Sequence, residues 1–117
     1  MSIQPVVEVL VIVTTEQIDR HTVADFIAEL AEGLRCCAAM SDPSPDLVVD
    51  FRRVTFLDST GVRELIDAEQ AISRRGGRLV VCGAHGDVLR CLEVTGALER
   101  FGGASTNGTG QRPGDEP

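Results

Sequence analysis

Three short runs rich in aliphatic and β-branched residues, Val6 to Val13, Leu47 to Phe51 and Leu79 to Cys82, are each followed by apolar residues at helical spacing. Short runs of this composition read as buried strands. Behind the first, Val23, Phe26, Ile27, Leu30, Leu34 and Cys37 line one face of a helix that runs to about Ala39. Thr22 with Asp25 three residues later resembles a capping box in which Asp replaces the usual Glu. Behind the second, a further apolar run, Val54 to Leu57, stops at Asp58-Ser59-Thr60-Gly61, and Val62, Leu65, Ile66, Ala68 and Ile72 then line a second helix. Arg74-Arg75-Gly76-Gly77 closes that helix with positive charge at its negative dipole end and glycine for a left-handed cap. Behind the third strand, Asp87 to Val94 reads as a third helix, with a turn from Ala97 to Phe101. The alternation predicts an α/β domain with helices packed on a mixed, mostly parallel sheet of about four strands. Its strand-helix-strand connections should be right-handed.

One domain accounts for the chain. Its 117 residues include 43% hydrophobic ones, enough for a single ordinary core. That domain is placed at residues 1–101, with the connector Ser41-Asp42-Pro43-Ser44-Pro45-Asp46 reading as turns. Residues 102–117, rich in Gly, Ser, Thr and Pro, contain nothing apolar larger than Ala104 and are expected to be a flexible tail.

Charge removes several function classes. A net charge of −7 and a pI near 4.7 argue against a nucleic-acid or anionic-membrane footprint, which favours a protein partner or a small ligand. All eleven basic residues are Arg, so there is no Schiff-base amine and no phosphate-loop lysine. Without Trp or Tyr, stacking on bases is also disfavoured. The first residues do not look like a signal peptide, and the longest uninterrupted apolar stretch, Val9 to Val13, is too short to span a bilayer. A cytoplasmic location is expected.

Cys36, Cys37, Cys82 and Cys91, with His21 and His85, follow no metal-ligand spacing, so neither a metal nor another cofactor is expected. Cys37 falls on the apolar stripe of the first helix, whereas Cys36 lies about 100° around from it. Any redox sensitivity is therefore assigned to Cys36 first and Cys91 second. No Gly-x-Ser-x-Gly elbow is present, and no catalytic residue is assigned.

Asp58-Ser59-Thr60-Gly61 puts a carboxylate and two hydroxyls at the start of a helix, where unpaired N–H groups favour acceptors. The plain reading is an N-cap. A phosphoryl group on Ser59 or Thr60 would be favoured there as well.

The ordered set Leu47 to Phe51, Val54 to Val62, Arg75-Gly76-Gly77-Arg78-Leu79 and Leu92-Glu93-Val94-Thr95-Gly96 resembles the successive hallmarks of STAS-domain anti-sigma factor antagonists over roughly residues 6 to 101. The resemblance implies a bacterial, non-enzymatic STAS-type switch in transcription regulation and stress response. Such a protein works by partner switching: it binds an anti-sigma factor that is also a serine kinase, releases the sigma factor, and is inactivated by phosphorylation. On this sequence the phosphorylated residue is Ser59, with a serine phosphatase as a second partner. Asp58, Ser59, Thr60, Gly61 and Arg63 would touch the partner, together with Asp19, since Ile18-Asp19 is similar to the end of the family's Gly-Glu-Leu-Asp loop. The chain departs from the family in having Glu16-Gln17 for Gly-Glu, and in lacking the strand that usually precedes Val6 and the usual final strand and helix. An exposed sheet edge, open to homodimerisation, is the expected consequence. Two other readings remain: a STAS subunit of a transporter or lipid-trafficking complex, and a redox-sensing thiol protein.

Overall fold

The computed structural model describes residues 7–40 and 45–101. Their elements are β1 (Glu8–Ile12), β2 (Gln17–Ile18), α1 (Val23–Ala39), β3 (Asp46–Asp50), β4 (Phe56–Leu57), α2 (Ser59–Ser73), β5 (Leu79–Cys82) and α3 (Gly86–Val94), followed by a 3-10 turn at Ala97–Arg100. The tail expected at residues 102–117 and most of the turn-rich connector lie outside the described residues.

β1, β3 and β5 form one parallel sheet in the order β1-β3-β5. Register lines up Val9 with Leu47 and Leu79, and Val11 with Val49 and Val81. Because strand side chains alternate, these residues share one face, and Val11, Leu47, Val49, Leu79 and Val81 are all buried. Burial of each such side chain contributes about 1.5–3 kcal/mol. α1 lies on this face at close range: a Cβ on Gly33 would sit 2.4 Å from Val11 Cγ2 and 2.9 Å from Leu47 Cδ1. Phe26 of α1 meets Phe51, just past β3, with ring centroids 5.9 Å apart and planes tilted by 55°.

The other face of the sheet differs. Leu10 and Ile12 stand 57% and 44% exposed, while Val48 and Val80 are only partly covered. The sequence predicts a buried strand here, but among the described residues β1 is an edge strand with one buried and one open face. Its Val-rich composition shows that it is a strand without showing which side is covered.

The remaining two strands, β2 and β4, pair in parallel as a separate short ribbon, with Gln17 beside Phe56 and Ile18 beside Leu57. The α/β class and the mostly parallel pairing hold. Among the described residues there are five strands in two sheets and not about four in one, because the two-residue β2 is too short to give an alternation signal.

The start of α1 departs from the capping-box expectation. Thr22 makes no side-chain cap to the helix. Its Oγ1 instead donates to Gln17 O at 2.6 Å and accepts from Asp19 N at 3.0 Å. Asp19 Oδ1 takes the N–H groups of His21 at 2.8 Å and Thr22 at 3.1 Å. The capping carboxylate thus comes from before the helix, as an Asx turn, and not from Asp25. α2 ends as expected: Gly76 has φ +88°, and Gly77 N donates to Ile72 O at 3.1 Å.

Candidate functional site

Hydrogen bonds between β2 and β4 bring two distant pieces of sequence together. Glu16 O accepts Thr55 N at 2.7 Å, and Asp58 N donates to Ile18 O at 3.1 Å. The residues that follow each strand, Asp19 after β2 and Asp58-Ser59 after β4, consequently emerge side by side. This is the juxtaposition implied by the sequence resemblance, and it arises although Glu16-Gln17 replaces the family's Gly-Glu.

Asp58 is the N-cap of α2. Its backbone is extended, and its Oδ1 accepts Thr60 N at 2.9 Å and Gly61 N at 3.4 Å. Ser59, the first helical residue, is exposed, and Thr60 is half-buried. Gly61 is buried for a packing reason: a Cβ there would lie 2.4 Å from Leu57 Cδ1 and 2.7 Å from Ile18 Cγ2. Of the residues expected to touch a partner, Gly61 therefore acts by letting α2 press on the β2–β4 ribbon, which fixes where Ser59 stands. Arg63 is exposed one turn along α2, in reach of Ser59 at i, i+4 spacing. Among the described residues Arg63, Asp67 and Arg74 form no ion pair, and the ion pair that α2 makes is Glu69 with Arg100 at 3.2 Å.

The site is acidic. Asp19 is held below the usual carboxylate range, chiefly by the His21 N–H, with Thr22 adding hydrogen bonds against a smaller desolvation effect. Thus Asp19 carries its charge at neutral pH. Asp58 contributes a second carboxylate, and its negative charge reaches Cys91 on α3. Burial pushes the Cys91 thiol up, and Asp58 pushes it further.

One residue that the sequence reading passed over belongs to this surface. Phe56 of β4 is 43% exposed and sits three residues before Ser59. The signal was available: in a strand with Leu57 pointing inward, Phe56 must point outward. Away from this surface, the carboxylate of Glu29 on α1 binds Thr14 N at 3.0 Å, Thr14 Oγ1 at 2.6 Å and Thr15 Oγ1 at 3.2 Å, anchoring the segment between β1 and β2. No sequence spacing announces that contact.

The cysteines do not converge. Cys36 is exposed, Cys37 is buried, Cys82 and Cys91 are intermediate, and all four are free thiols. Burial raises the thiols of Cys37 and Cys82 as well. Among the described residues no three His, Cys, Asp or Glu side chains gather as metal ligands, and no helix is long and apolar enough to cross a membrane.

Comparison with known proteins adds two findings. A family model described as STAS domain matches residues 1–109. The solved NMR structure of the protein TM1081 is similar in fold, with a TM-score of 0.61 at 16% sequence identity, over 81% of this chain and 71% of that one.

Proposed function

This chain belongs to the STAS-domain family, and from that premise we propose that it is a non-catalytic anti-sigma factor antagonist whose binding is switched off by phosphorylation of Ser59. The observation that carries the reading is the exposure of Ser59 at the first position of α2, beside Asp19 and next to a carboxylate already engaged as the cap. Asp58 satisfies the Thr60 and Gly61 N–H groups, so a phosphoryl group on Ser59 finds the helix terminus occupied and projects outward. Arg63 is its nearest helical counter-charge, at i, i+4. The fold therefore tolerates the modification.

A bound partner does not. Phosphate adds about −1.5 to −2 charges. A partner carboxylate about 5 Å away would be repelled by ~3 kcal/mol per charge at an effective dielectric near 20, before screening. Half of that is still at least tenfold in affinity. Steric exclusion acts in the same direction.

The partner surface on this reading comprises Asp19, Phe56, Asp58, Ser59, Thr60 and Arg63, with an anti-sigma factor of serine-kinase type as occupant and a serine phosphatase restoring the free hydroxyl. The test begins with a pull-down and phosphosite mass spectrometry, followed by titration calorimetry of Ser59→Ala, Ser59→Asp and Thr60→Ala against the captured kinase-like protein, with circular dichroism of each variant. Ser59→Ala should bind constitutively and Ser59→Asp weakly, while Thr60→Ala should still be phosphorylated. Equal affinities for folded Ala and Asp variants, or recovery of a transporter ATPase subunit in place of a kinase, would overturn the reading.

A further inference from the structure

The free edge of the parallel sheet carries information that the Ser59 site does not use. At the two ends of β1, Val7 O accepts Asp46 N at 2.9 Å and Val13 N donates to Asp50 O at 3.1 Å, so the odd-numbered residues turn their backbone groups toward β3. In a parallel ladder both groups of a residue point the same way. The N–H and C=O of Glu8, Leu10 and Ile12 thus point away from the sheet, and among the described residues no strand pairs with them. Within Glu8–Ile12 the edge carries no proline, lysine or inward-turned charge to discourage pairing. Beside it, a groove of about 390 Å³ runs between β1 and α1, floored by small α1 residues including Ala28, Gly33 and Cys36.

We propose that this edge binds a second copy of the same chain, β1 against β1 in antiparallel register centred on Leu10. The sequence Glu8-Val9-Leu10-Val11-Ile12 is suited to that two-fold. Only the even residues have free backbone groups, so a two-fold at Leu10 makes Leu10 face Leu10 of the other copy as a doubly hydrogen-bonded pair. Glu8 then faces Ile12 on either side, giving three such pairs along the seam. No two like charges are opposed, because the single Glu of each strand lands on an isoleucine. On the open face of the sheet, Leu10 and Ile12, 57% and 44% exposed in the single chain, gain apolar neighbours. On the helical face, Val9 and Val11 of the second strand extend the apolar layer over the groove. Of the α1 carboxylates flanking that groove, Glu32 is offset by Arg35, and Glu29 is turned toward Thr14 and Thr15, whose N–H and hydroxyl groups hold it. The outcome is one continuous six-stranded sheet, which removes an exposed edge. The proposal is independent of the Ser59 reading, since it involves neither the β2–β4 ribbon nor α2.

Sedimentation equilibrium of the full chain over a wide concentration range is expected to show a reversible dimer, and Leu10→Lys, which sets two ammonium groups opposite each other, should raise its dissociation constant by at least ~tenfold while circular dichroism stays unchanged. Register is tested in a Cys36→Ser background by oxidative cross-linking. Leu10→Cys pairs have Cα atoms about 5.5 Å apart, within disulfide reach, and should cross-link readily. Ile12→Cys pairs lie about four residues out of step, roughly 13 Å, and should not. A monomer at every concentration, a dimer indifferent to Leu10→Lys, or equal cross-linking at both positions would each overturn the proposal.

Discussion

Replacing Gly61 with alanine tests how the functional helix is seated. In α2 the added Cβ would lie 2.4 Å from Leu57 Cδ1 and 2.7 Å from Ile18 Cγ2, well inside the ~3.5–4.0 Å of an unstrained carbon contact. Two effects oppose each other. Alanine is the better helix former by about 1 kcal/mol in a helix interior, and less at the third helical position. Against that, overpacking a filled core costs about 1–3 kcal/mol. Relief is limited: Leu57 can move a terminal methyl, but Ile18 is fully buried and its Cγ2 is fixed by the β-branch. The clash should win by about 1–2 kcal/mol, or several degrees of melting temperature for a domain of this size. Urea denaturation monitored by circular dichroism reads the midpoint at unchanged slope. On the proposed function, calorimetric titration of the captured kinase-like partner should show a parallel loss of affinity, because α2 relieves the contact with Ile18 by lifting Ser59 away from Asp19. A Gly61→Ala protein as stable as the parent, with undiminished binding, would refute the reasoning and leave Gly61 as an ordinary first-turn residue.

Two further outcomes follow from buried polar groups. Asp50 is 4% exposed; burial works to raise its pKa, but the hydrogen bonds and charge of Arg52 outweigh it and hold the carboxyl below its ordinary value. A depressed folded pKa gives stability that is present above the unfolded value near ~3.9 and is lost as pH falls through the folded one. Asp50→Asn should therefore cost ~1–2 kcal/mol at neutral pH, limited by the solvent exposure of Arg52, with the gap to the parent closing below about pH 4; equal urea midpoints at neutral pH would contradict it. For the thiols, alkylation of dilute native protein followed by mass spectrometry should label Cys36 first, because burial keeps Cys37, Cys82 and Cys91 protonated. Labelling of Cys82 or Cys37 ahead of Cys36 would show that the sheet or α1 opens more easily than its packing implies.

Local chemistry was enough to locate the strands at Leu47, Leu79 and Val9, the helix from Val23 to Ala39, and the start of α2 at Asp58, since β-branching, helical spacing and an N-cap are short-range properties. They are legible in one pass along the chain. The sequence also marked Ser59 and Asp19 as residues of interest, through a resemblance to a family and not through any spacing between them. What lay beyond it was everything that depends on distant partners. That Asp19 and Asp58 emerge together follows from a two-residue ribbon, and that α1 is capped by Asp19 and not by Asp25 follows from the turn this ribbon imposes. The buried place of Gly61 depends on Ile18, over forty positions earlier. β1 makes the point most plainly: its valines specify a strand, but only the pairing of Val7 and Val13 with β3 decides that Leu10 and Ile12 stand at a free edge. A strand's period is written in its own residues, whereas which face and which edge remain open is set by neighbours that tertiary packing alone supplies.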